Sequence, residues 1–164
     1  MGIGLCRIDE RLLHGQVLVG WGGRLGIAHY VVVDDVLAAS DWERELYASG
    51  TPDGADSHFL SVSAAVEELS AFEDLPGSTA VLTRDTETMR TLAEAGLLEE
   101  KRVNVGGLHP AEGRRRALDY VFLGDPEIDD LRTIADRSRS VSARDLPSSP
   151  EVRLEELIRA AGRA

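Results

Sequence analysis

The sequence predicts a single-domain α/β protein built on an open, mainly parallel β-sheet with helices on both faces. Two observations predict it. Short β-prone runs alternate along the whole chain with amphipathic stretches, the pattern of repeated βαβ units. Several of those runs, among them Tyr30-Val31-Val32-Val33 and Thr79-Ala80-Val81-Leu82, are continuous and carry no strict alternation, which suggests strands covered on both sides. At roughly 150 residues per domain, the 164 residues make one domain, read here as spanning 1–164.

Strands are expected at Ile3 to Ile8, His29 to Asp34, Ser57 to Val62, Ser78 to Thr83, Arg102 to Val105, Asp119 to Leu123 and Ser138 to Ala143. The first helical region, Gln16 to Leu25, should bury Val17, Leu18, Trp21 and Leu25. Its glycines, at 20, 22 and 23, predict an irregular helix, since each interior glycine costs about 1 kcal/mol relative to alanine. Asp34-Asp35 can cap a helix ahead of Val36 and Leu37. Ser61 or Ser63 can cap one whose apolar face holds Val66, Leu69 and Phe72. Asp85 can cap one carrying Met89, Leu92 and Ala93, with Gly96 placed to end it. Pro126 suits the first turn of a helix bearing Ile128, Leu131, Ile134 and Ala135. Pro150, with Ser149 as cap, is expected to do the same ahead of Leu154, Leu157, Ile158 and Ala161.

Composition narrows the function. Eighteen basic against twenty-nine acidic residues leave a net charge of −11, which disfavours nucleic acid and anionic membrane as partners. The single cysteine, Cys6, excludes an intramolecular disulfide and every multi-cysteine metal site; in the first strand it reads as a small buried hydrophobe. No apolar run reaches the roughly 18 residues that span a bilayer, and the N-terminus lacks the features of a signal peptide. A cytoplasmic protein is expected.

The chemistry is concentrated in Arg7-Ile8-Asp9-Glu10-Arg11-Leu12-Leu13-His14-Gly15-Gln16-Val17, between the first strand and the first helix. In open α/β sheets ligands bind there, beyond a strand's carboxyl end and at a helix N-terminus. Each residue type suits a phosphoryl group. Neutral imidazole, as at His14, is a nucleophile near neutral pH. Arg11 offers a charged planar fork that fits phosphate oxygens in pairs. Gly15 permits an unusual backbone conformation or a close approach. Asp9 would repel a phosphate, so it is expected to orient Arg11 or a ring nitrogen of His14. On spacing alone a plainer account prevails, in which Asp9 and Arg11 form a surface ion pair and His14 is a turn residue.

Beyond spacing, the stretch from Arg7 to Val17 resembles the signature of the IIB components of the mannose/fructose/sorbose class of the bacterial phosphotransferase system (PTS). Asn104-Val105-Gly106-Gly107, the run Tyr120-Val121-Phe122-Leu123 and the closing Arg144-Asp145-Leu146-Pro147-Ser148-Ser149-Pro150 extend the resemblance over essentially the whole chain. The resemblance implies a phosphocarrier enzyme, a protein-phosphohistidine–sugar phosphotransferase. It would accept a phosphoryl group from a IIA partner on the ring nitrogen of His14 nearer the backbone, then pass it to a sugar bound by membrane components IIC and IID. Arg11, Gly15 and Gln16 would hold the phosphate, with Asp9 orienting. No metal or cofactor is implied, and a homo-oligomer is compatible. A regulatory phosphohistidine protein that reports PTS phosphorylation state to a partner, without sugar transport, is the alternative. A small-anion-binding module with no covalent step is a third reading.

Other features carry less. Gly15 and Gly20 match a P-loop start, but Trp21 stands where its lysine must be, and Gly20-x-Gly22 lacks a dinucleotide fingerprint's third glycine. His29, His58 and His109 are scattered singly, which argues against zinc; His29 and His58 read as structural. His109 follows a strand end, and with Asp34 and Asp35 it is a candidate for the crevice, although a loop histidine and helix caps are the simpler readings. Arg114-Arg115-Arg116 is expected to be a solvated loop able to meet a negative partner. Lys101, the only lysine, is expected at the surface.

Overall fold

A computed structural model describes residues 2–162; positions 1, 163 and 164 of the domain expected over 1–164 lie outside them. Seven strands form one sheet in the order β3-β2-β4-β1-β5-β8-β9. They are β1 (Gly2–Asp9), β2 (Ile27–Val33), β3 (Asp56–Leu60), β4 (Ser78–Thr83), β5 (Arg102–Gly107), β8 (Ser140–Ala143) and β9 (Val152–Arg153). Every neighbouring pair is parallel except β8 with β9. The expected open, mainly parallel sheet is therefore the observed one. β6 (Arg115–Leu118) and β7 (Val121–Leu123) form a separate antiparallel hairpin.

The continuous apolar runs face two cores. Tyr30, Val32, Ala80 and Leu82 pack with Leu12 of the turn after β1, with Val17 and Trp21 of the first helical region, and with Leu37. Val31, Val33 and Val81 pack on the other face, against Ala65, Leu69, Met89, Leu92, Ile128, Leu131 and Leu157. The first face carries a π-helical segment over Gln16–Trp21 that runs into α1 (Gly22–Leu25), then α2 (Asp35–Ala38) and α3 (Asp41–Ser49). The second carries α4 (Val62–Glu68), a 3-10 turn (Leu69–Asp74), α5 (Thr86–Glu94), α6 (Asp125–Asp136) and α7 (Leu154–Ala160).

The irregularity expected of the first helix is real, and two of its three glycines, Gly20 and Gly22, are close approaches. A side chain on Gly22 would collide with the Tyr30 hydroxyl, and one on Gly20 would reach 2.9 Å from Leu146 Cδ2. Val17 and Trp21 are buried as expected, but Leu25 is exposed, because the helix ends there as Gly26 turns left-handed at φ 62°. Ser61 caps α4 through the Ala64 amide, and Asp85 caps α5 through that of Thr88. Gly96, at φ 79°, follows the end of α5. Val66, expected on the buried face, is exposed; burial shifts to Leu69 and Phe72 as the 3-10 turn begins.

Four other expectations are corrected. The run from Asp119 to Leu123 belongs to the hairpin, with Asp119 and Tyr120 in its turn. The last helix starts at Leu154 with Arg153 at its cap, so Ser149 and Pro150 lie in the loop before β9. Arg114-Arg115-Arg116 is not a loop: Arg115 and Arg116 lie, still exposed, in β6, and the three pair with Glu10 and Glu127, Asp125, and Asp119. Lys101 is half-buried in an ion pair with Glu73. Among the described residues no helix is long and apolar enough to cross a membrane.

Candidate functional site

Neighbouring strands β1 and β5 send their connections in opposite directions across the sheet, β1 towards β2 and β5 towards β8. A ligand crevice forms at such a switch point, outside the strands' carboxyl ends. Asp9, the last residue of β1, is registered there with Gly107 of β5. The chain then turns sharply: the Leu12 amide donates to the Asp9 carbonyl, and Leu12 takes φ 54°. A left-handed non-glycine residue costs roughly 1–2 kcal/mol, which complete burial of the Leu12 side chain offsets on the scale of a core leucine. The unusual backbone expected at Gly15 is thus at Leu12. Gly15 has an ordinary φ of −52° and opens the π-helical segment. Nothing lies within 4 Å of where its Cβ would be, so it leaves the space beside His14 open.

Asp9 is the hub. Its buried carboxylate accepts from Arg7 Nη2 at 2.9 Å, from Arg11 N, Nε and Nη2 at 3.0, 3.1 and 3.1 Å, and from His14 Nε2 at 2.9 Å. It orients both groups named as alternatives, Arg11 and His14. Burial works to raise the Asp9 carboxyl, but hydrogen bonds from His14 and Arg11 and the Arg7 charge hold it well below the usual carboxylate range. An ionised carboxylate only accepts. His14 Nε2 therefore carries a proton, and in the neutral ring Nδ1 is left with its lone pair.

Sequence reasoning missed Arg7. Its side chain is 0% exposed, beneath the site. Nη1 donates to Asn104 Oδ1 at 2.7 Å and to the Arg144 carbonyl at 3.1 Å, while Nη2 also reaches Gln16 Oε1 at 3.3 Å. The guanidinium lies 5.6 Å from the centre of the Trp21 ring, and a Cβ on Gly106 would collide with it. Burial lowers the Arg7 guanidinium from its ordinary value, and the Asp9 charge opposes that shift. Asn104, which also donates to the Arg144 carbonyl at 3.0 Å, was equally overlooked. The available signal was an arginine two residues before an aspartate on one strand, which places both on one face.

Arg11 differs. Its side chain is 37% exposed, with Nη2 2.9 Å from Gln16 Oε1, so its fork stands at the mouth of the crevice. Gln16 thus joins the site through its side chain. His109 pairs with Glu10 Oε2 at 2.9 Å, where Arg114 also ties down Glu10, rather than with His14. Asp34 caps Leu37 and pairs with Arg84, and Asp35 accepts from the Val62 amide. Cys6 is buried, with its thiol pushed up to about 12 chiefly by that burial. His29 and His58, read as scattered, are brought together by the pairing of β2 with β3.

An imidazole held by a buried carboxylate beside an exposed arginine fork, at a sheet switch point, is an arrangement that can hold an anion and offer it a nucleophile. The model of the PTS system sorbose subfamily IIB component matches residues 3–164. The N-acetylgalactosamine-specific phosphotransferase enzyme IIB component 1 of Escherichia coli (strain K12) is 32% identical, over 93% of this chain and 96% of that protein. The mannose-specific EIIAB component of the same organism is 26% identical over 96% of this chain and 49% of its own length. The crystal structure of manxB from Thermoanaerobacter tengcongensis superposes with a TM-score of 0.86 at 26% identity, covering 96% of this chain and 95% of that one.

The chain belongs to the sorbose subfamily of PTS IIB components. It is a transferase component of a sugar phosphotransferase system.

Proposed function

We propose that residues 1–164 act as one cytoplasmic IIB domain that takes a phosphoryl group from a phosphohistidine of IIA onto His14 Nδ1 and passes it to a sugar taken up through IIC and IID. The observation that carries this reading is the 2.9 Å contact between His14 Nε2 and the ionised Asp9. It leaves Nδ1 as the nucleophilic atom and places a negative charge behind a ring that turns cationic as it attacks. The donor's N–P bond breaks as the bond from Nδ1 to phosphorus forms. In the second step a sugar hydroxyl takes the phosphoryl group and gives up its proton, and His14 is returned.

Phosphoryl transfer needs mainly positioning and charge stabilisation. Arg11 supplies the exposed fork, and the backbone at Gly15 and Gln16 completes the anion pocket. A charge-assisted hydrogen bond worth roughly 1.5–3 kcal/mol corresponds to about 10- to 100-fold in rate if made only in the transition state. Cys6 is unsuited as a rival acceptor, being buried in β1 with its thiol held protonated. A IIA partner is supported by the mannose relative, whose name joins A and B components in one protein.

The test is intact mass spectrometry after incubation with phosphoenolpyruvate, the general PTS proteins and a matching IIA domain. Wild type should gain one acid-labile phosphate and His14→Ala none. An equal gain on His14→Ala, or an acid-stable adduct, overturns the assignment.

A further inference from the structure

We propose that His29, Asp56 and His58 form a binding site for a zinc-class divalent cation at the amino end of the sheet, on the face opposite His14. His29 lies on β2 and the other two on the edge strand β3, in parallel register, with His29 opposite Asp56 and Val31 opposite His58. His29 alternates with Val31 and Val33, which face the larger core, whereas Arg7 and Asp9 alternate with Leu5, which faces the smaller one. Two faces and two ends of the sheet thus separate this cluster from the crevice. One ligand atom from each of the three residues lies within 4.8 Å of the other two.

The hydrogen bonding prepares the ligands. His29 Nε2 is 3.0 Å from the Pro76 carbonyl, which only accepts, so Nε2 holds the proton and Nδ1 presents a lone pair. A backbone carbonyl on the far nitrogen is the usual support of a metal-bound histidine. His29 Nδ1 faces His58 Nε2 at 3.4 Å, longer than the 2.7–3.2 Å of an ordinary hydrogen bond. Zinc–nitrogen distances of about 2.0–2.1 Å at a tetrahedral angle place two ligand nitrogens about 3.4 Å apart. The pair is a loose hydrogen bond and a well-spaced chelate.

Phe72 presses edge-on against both rings, with centroids 5.0 Å from His58 and 6.2 Å from His29, and restricts them to this arrangement. The exposed Asp56 carboxylate brings the negative charge, leaving the fourth position to water. Sequence spacing hid the cluster because its halves are 27 residues apart (29 to 56) and meet only through strand pairing.

The experiment titrates chelator-stripped protein with Zn²⁺ alone against a chromogenic chelator, for wild type, His58→Gln, Asp56→Asn and His14→Gln. Wild type and His14→Gln should bind one equivalent with the same affinity. His58→Gln should weaken binding by at least about tenfold, a loss that even a change in a ligand's outer hydrogen-bond partner produces. On wild type, NMR should show the ring signals of His29 and His58 moving together with one equivalent of zinc while those of His14 stay. Equal affinity in wild type and His58→Gln overturns the proposal, as do ring signals at His29 and His58 that zinc leaves unmoved.

Discussion

Asp9 Oδ2 lies 2.9 Å from His14 Nε2 and 2.9 Å from Arg7 Nη2, so one carboxylate oxygen joins the His14 ring to a wholly buried cation. Removing the Asp9 charge therefore acts twice. In Asp9→Asn the Arg7 guanidinium loses its counter-charge in a place water does not reach, and breaking a buried pair costs about 3–5 kcal/mol. The ring also loses the acceptor that fixes its tautomer. Urea unfolding should show a midpoint well below wild type, and phosphoryl uptake should be slow under conditions where the variant is still folded. A variant as stable as wild type would show that Arg7 finds its compensation in Asn104 and the Arg144 carbonyl alone.

The two arginines should separate by assay. Arg7 is buried in four sets of partners, whereas Arg11 is exposed at the mouth. Arg11→Lys replaces a planar fork by a point charge; it should slow phosphoryl uptake by about 10- to 100-fold while shifting stability by no more than the ~1 kcal/mol typical of an exposed pair. Arg7→Lys should do the reverse in emphasis, with a large fall in the unfolding midpoint. Rapid-quench phosphorylation and urea titration of both variants check this. Wild-type kinetics in Arg11→Lys would make Arg11 a structural residue.

What could be read from the sequence depended on how local the cause was. Asp85 and Ser61 cap their helices through amides three residues on, and the valine run of β2 carries its two-sided burial in its own composition. Leu25 and Ser149 were misplaced because chain geometry, a left-handed Gly26 and the short strand β9, overrode propensity. At the site, His14, Arg11 and Asp9 lie within six residues, so their association was visible, though spacing alone favoured a surface ion pair. Arg7 was hidden because its importance comes from Asn104, Gly106 and Arg144 across the sheet. The meeting of His29 with His58 is likewise set by strand order.

The depressed Asp9 carboxyl predicts how stability depends on pH. A group whose native pKa lies below its unfolded value, near 3.9 for an aspartate, contributes stability above the unfolded value. That contribution is lost as pH falls towards the native value, because the unfolded chain takes up the proton first. Wild type should hold its Asp9-linked stability above roughly pH 5 and lose it progressively below about pH 4. Asp9→Asn, with no proton to bind, should show a shallower loss over the same acidic range. Urea midpoints of the two proteins at a series of pH values supply the test; parallel curves would mean the carboxyl is not depressed in the native state.

Two glycines beside the site should answer differently to the same added methyl. A Cβ on Gly106 would collide with the Arg7 guanidinium, which cannot retreat because Asp9, Asn104 and the Arg144 carbonyl hold it. Gly106→Ala should therefore cost about 1–3 kcal/mol, the range for overpacking a tight interior, and displace Asp9 enough to slow phosphoryl uptake. Gly15, at φ −52° with no neighbour within 4 Å of its Cβ position, already has a conformation that alanine adopts freely. Gly15→Ala should be neutral or more stable by about 0.4–1 kcal/mol through the unfolded chain. If phosphate occupies the open space beside His14, this variant should also slow uptake without loss of stability. Thermal unfolding and phosphorylation rates on the two variants separate these effects. A Gly106→Ala protein with wild-type stability and rate would show that Arg7 has room to move, and that the packing of β5 against it does not set the geometry of His14.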